Sequence, residues 1–268
     1  MHYSADCNKI HLVCLVQNMI SSKRKIGGAK PIQLDTFDLN NMPPYKMILL
    51  VAKRHSGKST LIENLMYRFR DAPICMGFSA TEKYNHFYSK HVDPRLIHED
   101  YDPDVIENIK SRQEKILDYN AKKASDAPIC DPHMLVIFDD MMADAGKMFK
   151  DAGMKFMIFN GRHIKLTTIL ATQYIMLIPT NCRSNLDYIV LFQETNVTVQ
   201  RKIYALFGEN LFSTFNEFKA TMDFYTQDYG CLIIDNTTKT NDLRKQLYYF
   251  KAVVDLPEFR IPKKRSSR

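Results

Sequence analysis

The sequence predicts an α/β fold, a mostly parallel central sheet flanked by helices, on three observations. From residue 47 onward, short apolar runs of strand length alternate with segments whose apolar residues recur at helical period. The first run, 47–52, leads directly into a loop that closes on Gly57-Lys58-Ser59. A later run, 134–138, ends at the paired carboxylates Asp139-Asp140.

Residues 1–30 combine a short apolar segment with a basic linker, Ser21-Ser22-Lys23-Arg24-Lys25-Ile26-Gly27-Gly28, and read as an appendage. One domain is expected over 31–260, with Pro43-Pro44 marking entry to the strand at 47–52. The helix after Ser59 carries Leu61, Leu65, Met66 and Phe69 on one side. Ile74-Cys75-Met76-Gly77-Phe78 is a second strand, and 79–101, rich in Tyr, His and Asp, is irregular. Asp102-Pro103-Asp104 opens a helix at 104–123, where Val105, Ile106, Ile109, Ile116 and Leu117 keep helical spacing.

After the strand at 134–138 come a helix over about 145–159 and a break at Asn160-Gly161-Arg162-His163. A fourth strand, 166–171, ends at Thr172-Gln173, and Pro179 interrupts the connection to the next strand. That fifth strand, at 187–192, precedes helices near 196–207 and 212–219, and strands at 230–235 and 247–253 finish the domain. Residues 261–268 form a basic tail, expected to be disordered.

Composition sets the outer bounds. With 268 residues, 45% hydrophobic and 25% charged, the chain is ordinary for a globular protein, and sixteen Phe and fourteen Tyr supply ample core. The net charge of +7 permits a polyanionic partner without demanding one. No segment approaches the ~18 consecutive apolar residues of a membrane helix, so an integral membrane protein is not expected. The apolar stretch 10–20 is short and has no basic stretch before it, which argues against a signal peptide and for a cytosol-like compartment. Six cysteines without a Cys-x-x-Cys pair read as reduced, buried thiols, and eight histidines show no metal-ligand spacing.

The loop has the layout of a phosphate-binding P-loop, with Ala52, Lys53, Arg54, His55, Ser56, Gly57, Lys58, Ser59 and Thr60 around the phosphates of a nucleotide. Backbone N–H groups at a helix N-terminus surround the anion, Lys58 reaches the β/γ-phosphates, and the Ser59 hydroxyl sits on Mg2+. The pattern begins with Gly, and here Ala52 stands in that place. Ala serves there only if the residue stays out of positive φ.

The apolar run ending in Asp139-Asp140 is a Walker B arrangement. Asp139, on a strand expected next to the P-loop strand, would hold the metal, and Asp140 would orient and deprotonate the attacking water. The alternative is that both aspartates cap the next helix. Gln173, closing the fourth strand, suits a sensor of the γ-phosphate or the water; otherwise it bonds to backbone at a strand end. Arg162 and Arg183 are the arginine-finger candidates, cations supplied to a neighbouring subunit's transition state, with ordinary surface cations as the alternative.

Taken together, residues 47–60, 134–140 and 160–192 resemble the packaging ATPases of large cytoplasmic DNA viruses, the poxvirus-type branch of the FtsK–HerA superfamily. The stretch that carries the resemblance is Asn160-Gly161-Arg162-His163, a strand, Ala171-Thr172-Gln173, then Pro179 and Arg183-Ser184-Asn185, downstream of paired aspartates; it spans about 45–195. The resemblance implies a RecA-like P-loop domain assembled into a homo-oligomeric ring, a hexamer. In such a ring ATP hydrolysis with Mg2+ drives double-stranded DNA into a preformed capsid, in the viral factory of the host cytoplasm or in the virion, with capsid or membrane proteins as possible partners. It favours Arg162 over Arg183 as the finger, and Asp140 in place of Glu is the form this branch implies.

Such a motor contacts DNA without reading sequence, through Lys and Arg on phosphates. The linker at 23–25 and the tail at 263–268 are compatible with that, and equally with a solubilising role. Two rivals stay open. A nucleoside or nucleotide kinase would need an acceptor pocket and an arginine-rich lid, and no arginine cluster of that sort comes after the P-loop. A non-hydrolysing nucleotide-binding scaffold has Ala52 as its support.

Overall fold

The computed structural model describes residues 28–262, apart from 241, 243 and 244. Residues 1–27 of the expected appendage and 263–268 of the expected tail therefore lie outside the described residues.

The strands are β1 (Asp35–Thr36), β2 (Met47–Val51), β3 (Ile74–Ser79), β4 (Ile97–His98), β5 (Met134–Asp139), β6 (Leu166–Thr172), β7 (Tyr188–Leu191), β8 (Gly230–Asp235) and β9 (Leu247–Lys251). They form one sheet in the order β1-β9-β8-β7-β2-β6-β5-β3-β4. Only the β7–β8 and β8–β9 pairings are antiparallel among the described strands. The longer helices are α1 (Lys58–Arg68), α2 (Pro103–Lys122), α3 (Ala152–Asn160), α4 (Val197–Ile203) and α5 (Phe215–Tyr225).

Every residue of β2, β5 and β6 is buried. That is why they read as continuous apolar runs: a parallel sheet covered on both faces has no polar side to alternate with. The two-residue period still divides them between the two faces. Leu49, Val51, Val136, Phe138 and Leu170 point to one core, which α2, α3 and α5 close with Ile106, Ile109, Met154, Met157, Phe218 and Met222. Ile48, Leu50, Leu135, Ile137 and Ile169 point to the other, where α1 contributes Leu61, Ile62, Leu65 and Met66. The result is a three-layer sandwich with the P-loop strand near its middle.

Helix starts obey the local chemistry. Asp102 caps α2 by accepting the Asp104 N–H at 2.9 Å, with Pro103 in the first turn, where its missing N–H does no harm. The C-terminal segment returns along the outside of α1. Asn64 donates to the Val253 carbonyl at 2.8 Å and accepts its N–H at 2.9 Å, and the Ile261 N–H reaches the His91 carbonyl at 2.7 Å.

Several expectations change. The Walker B strand is not adjacent to the P-loop strand, because β6 lies between β2 and β5. The single helix expected at 145–159 is two, Ala145–Met148 and α3. The cause is Asp151, whose Oδ1 accepts both the Met154 N–H (2.8 Å) and the Tyr101 hydroxyl (2.6 Å), making a new N-cap. The helix expected at 212–219 starts later and runs longer as α5, since Thr214 is its cap and accepts the Glu217 N–H at 3.2 Å. Residues 79–101 hold short helical turns and the edge strand β4, while β1 forms the opposite edge; two residues are too few to show a period. Cys75, Cys182 and Cys231 are buried as expected, but Cys130 is exposed.

Candidate functional site

β2 delivers the chain to the carboxyl edge of the sheet with both of its neighbours hydrogen-bonded in register. Ala52 continues that pairing, donating its N–H to the Thr172 carbonyl at 3.0 Å, and is buried. The positive-φ residues of the loop are His55 (60°) and Gly57 (93°), so Ala52 meets the condition its side chain imposes. Gly57 is the residue before α1; its φ of 93° is what favours glycine there, and a Cβ built on it would sit tightly, 3.1 Å from the Tyr229 Cβ. Ser56 Oγ closes the turn onto the Lys53 carbonyl at 2.8 Å, and Lys53 Nζ pairs with Glu194 Oε1 at 2.5 Å beyond the end of β7.

The carboxylates stand beside this loop. Lys58 Nζ donates to Asp139 Oδ1 at 2.5 Å, and the Tyr88 hydroxyl donates to Asp139 Oδ2 at 2.9 Å. Tyr88 is fully buried; burial first, and then the Asp139 charge, push its phenol well above the ordinary range, so it stays a donor. The Glu82 carboxylate fixes the Tyr88 turn by accepting the N–H groups of Tyr88 and Ser89, each at 2.9 Å.

Asp140 leaves the strand at φ 58°, a conformation rare outside glycine and tolerated best by Asp and Asn. Its N–H bonds the Ala171 carbonyl at 3.2 Å, and its Oδ2 accepts Gln173 Nε2 at 2.7 Å. Neither aspartate caps the α-helices that follow: the N-caps of Ala145–Met148 and α3 are Asp144 and Asp151. The capping alternative therefore fails, and Gln173 bonds a side chain rather than strand-end backbone. The intervening strand makes the Asp140–Gln173 pair possible, since β6 brings Gln173 beside the end of β5.

Lys58, Asp139, Asp140 and Gln173 thus converge at the carboxyl ends of β2, β5 and β6, with Ser59 and Thr60 in the first turn of α1. Arg54 and His55 are exposed on the loop. Neither finger candidate joins the group. Arg183 donates to the Ile178 carbonyl (2.7 Å) and Thr180 Oγ1 (2.8 Å) within its own connection. Arg162 lies in the turn before β6, at the amino end of that strand, and is exposed.

Reading the sequence missed Tyr88, Glu82 and Glu194. The first two lie in the aperiodic 79–101 stretch, and no local pattern there signals a contact with Asp139, 51 residues away.

A family model described as "Poxvirus A32 protein" matches residues 33–247. The chain belongs to the poxvirus A32 protein family. This A32 family chain is 32% identical over 230 residues to an uncharacterized protein, 088R, of Invertebrate iridescent virus 3, covering 83% of this chain and 84% of that one. It is 34% identical over 206 residues to protein 075L of Invertebrate iridescent virus 6, covering 76% of each. Among solved structures it is similar to the genome packaging NTPase B204 from Sulfolobus turreted icosahedral virus 2 in complex with AMP, with TM-score 0.53, 18% identity, and 80% and 100% of the two chains covered. The pCW3 conjugation coupling protein TcpA, bound to ATPγS, matches with TM-score 0.53 and 12% identity over 85% of this chain and 70% of that one. At these identities the likeness shows the fold, a P-loop α/β domain, and the expected fold class stands. Among the described residues no helix is long and apolar enough to cross a membrane.

Proposed function

We propose that this A32 family chain is an ATP-hydrolysing motor that translocates double-stranded viral DNA during genome packaging. The observation that carries the reading is the convergence of Lys58, Asp139, Asp140 and Gln173 at the mouth of a P-loop. Family membership and the fold shared with a packaging NTPase supply the biological setting.

Each residue takes a role from its surroundings. The loop 52–60 and the first turn of α1 present backbone N–H groups to the phosphates, and Lys58 neutralises the β/γ oxygens. Lys58 is held by Asp139 in this structure, so binding exchanges one anionic partner for another. Ser59 and Asp139 offer a hydroxyl and a carboxylate, the hard oxygen donors that suit Mg2+, which when bound would offset charge on the phosphates. Tyr88 keeps one Asp139 oxygen occupied and so orients the other. Asp140 accepts the proton of the attacking water, and Gln173, bonded to it, links that base to the γ-phosphate position. The absence of an arginine cluster of the lid type after the P-loop, together with the fold shared with a packaging NTPase, favours hydrolysis over a kinase. Arg162, remote from its own site, is the finger for a neighbour in a homo-oligomeric ring, and the +7 charge suits sequence-independent contact with DNA phosphates.

The deciding measurement is the ATPase rate of the purified protein with and without double-stranded DNA, beside Lys58→Ala and Asp140→Asn. DNA should raise the wild-type rate at low salt. Both variants should lose turnover by about 100-fold or more, with Asp140→Asn still binding ATP. A wild-type rate indifferent to DNA at low salt refutes the motor, and unimpaired turnover in Asp140→Asn refutes its role as base.

A further inference from the structure

Asp139, Asp140 and Gln173 all stand on the β5–β6 side of the P-loop strand, in the order β7-β2-β6-β5. A triphosphate lying on the loop with its γ end toward them must trail its nucleoside to the other side, over β7 and β8. There a cleft of about 280 Å³ opens against the loop, lined by His55, Ser56, Gln193, Thr226, Asp228 and Tyr229. The hollow at the opposite end of the strands, beside Arg162 and Asp187, has only about 10 Å³.

One wall of the cleft is an aromatic side chain in an unusual setting. Tyr229 is 65% exposed, so burial of its ring does not explain its position. It and Asp228 are consecutive non-glycine residues in the left-handed region, at φ 65° and 50°. Such strain persists only where the surroundings impose it, and it concentrates at ligand sites. Here the turn is imposed from behind. The Gly230 N–H bonds the Gln227 carbonyl at 2.9 Å, and a Cβ on Gly230 would fall 2.3 Å from the Tyr225 carbonyl oxygen and 2.9 Å from the Tyr249 ring. The product of the strained turn is a tyrosine set against Gly57 at the rim of the P-loop.

We propose that Tyr229 is the platform on which the purine base of the bound nucleoside triphosphate stacks. The assignment rests on the nucleotide-binding role proposed for the P-loop and adds the base subsite to it. Stacking on one aromatic ring strengthens binding by about 10- to 100-fold, and any purine face can use it.

The chain contains no tryptophan, so Tyr229→Trp places a single indole fluorophore at the site. ATP titrated into that variant should quench the indole, whereas inorganic tripolyphosphate should bind without quenching it. By calorimetry Tyr229→Ala should bind ATP about 10- to 100-fold more weakly and tripolyphosphate as tightly as wild type, with Tyr229→Phe close to wild type for both. Equal ATP affinity in Tyr229→Ala and wild type overturns the platform. So does a parallel loss of ATP and tripolyphosphate, which would mean the ring only shapes the loop. Wild type that binds tripolyphosphate and ATP equally well sinks the base subsite while sparing the phosphate site; wild type that binds neither sinks the nucleotide reading itself.

Discussion

Ala52 occupies the place of a glycine, and its backbone explains why the loop tolerates it. The residue prolongs β2, keeps a negative φ and bonds Thr172, so the freedom of glycine is needed later, at Gly57. Ala52→Gly should then lower stability by roughly 0.5–1 kcal/mol through the more flexible unfolded chain, and leave nucleotide affinity unchanged. Thermal melting and ATP titration check this together, and a gain in affinity would mean that the alanine impairs the loop. Tyr88 is the second decisive residue. Removing its hydroxyl in Tyr88→Phe keeps the packing but releases one Asp139 oxygen. We expect the Mg2+ concentration for half-maximal nucleotide binding to rise about 10-fold, with melting temperature little changed. An unaltered Mg2+ dependence would make Tyr88 a packing residue only.

At the scale of elements, α1 is clamped between the sheet and the returning C-terminal segment, and Asn64 is the fastener. Its buried amide bonds the Thr60 carbonyl and both backbone groups of Val253. Asn64→Ala leaves the Val253 N–H and carbonyl without that partner, for a loss of about 1–3 kcal/mol. A fall of several degrees in melting temperature, with 252–262 more open to proteolysis, is the expected outcome; a loss of stability without a change in proteolysis would place the damage elsewhere. Helix breaks show what local patterns miss. Residues 145–159 are apolar enough to read as one helix, but Asp151 satisfies a distant tyrosine as well as Met154, and that extra bond fixes a cap in the middle.

Across the whole molecule, strand order separates what one chain can do alone from what needs a second copy. Gln173 lies just past the carboxyl end of β6 and Arg162 precedes its amino end, so the strand holds them roughly 20 Å apart. Arg162 therefore cannot serve its own site, and a finger role requires a neighbour. Arg162→Ala should bind ATP normally yet lose turnover by about 10³-fold or more. Mixed with Lys58→Ala subunits, which lack a working loop but keep the arginine, it should recover part of its activity. Absence of recovery in mixtures that do assemble would exclude Arg162 as the finger.

The strands and the phosphate loop are written in the order of the residues alone, because both are local. A strand buried on two faces must be continuously apolar, and a loop that wraps an anion at a helix start needs its glycine, lysine and hydroxyl in fixed succession. Asp139, Asp140 and Gln173 were legible for the same reason, each ending an apolar run. It took the folded chain to put β6 between β2 and β5, and so to pair Gln173 with Asp140. Folding likewise makes Tyr88 orient Asp139 from 51 residues away and sets Tyr229 against Gly57. Contacts of that kind depend on the order in which the sheet assembles its strands, and no run of neighbouring residues encodes that order.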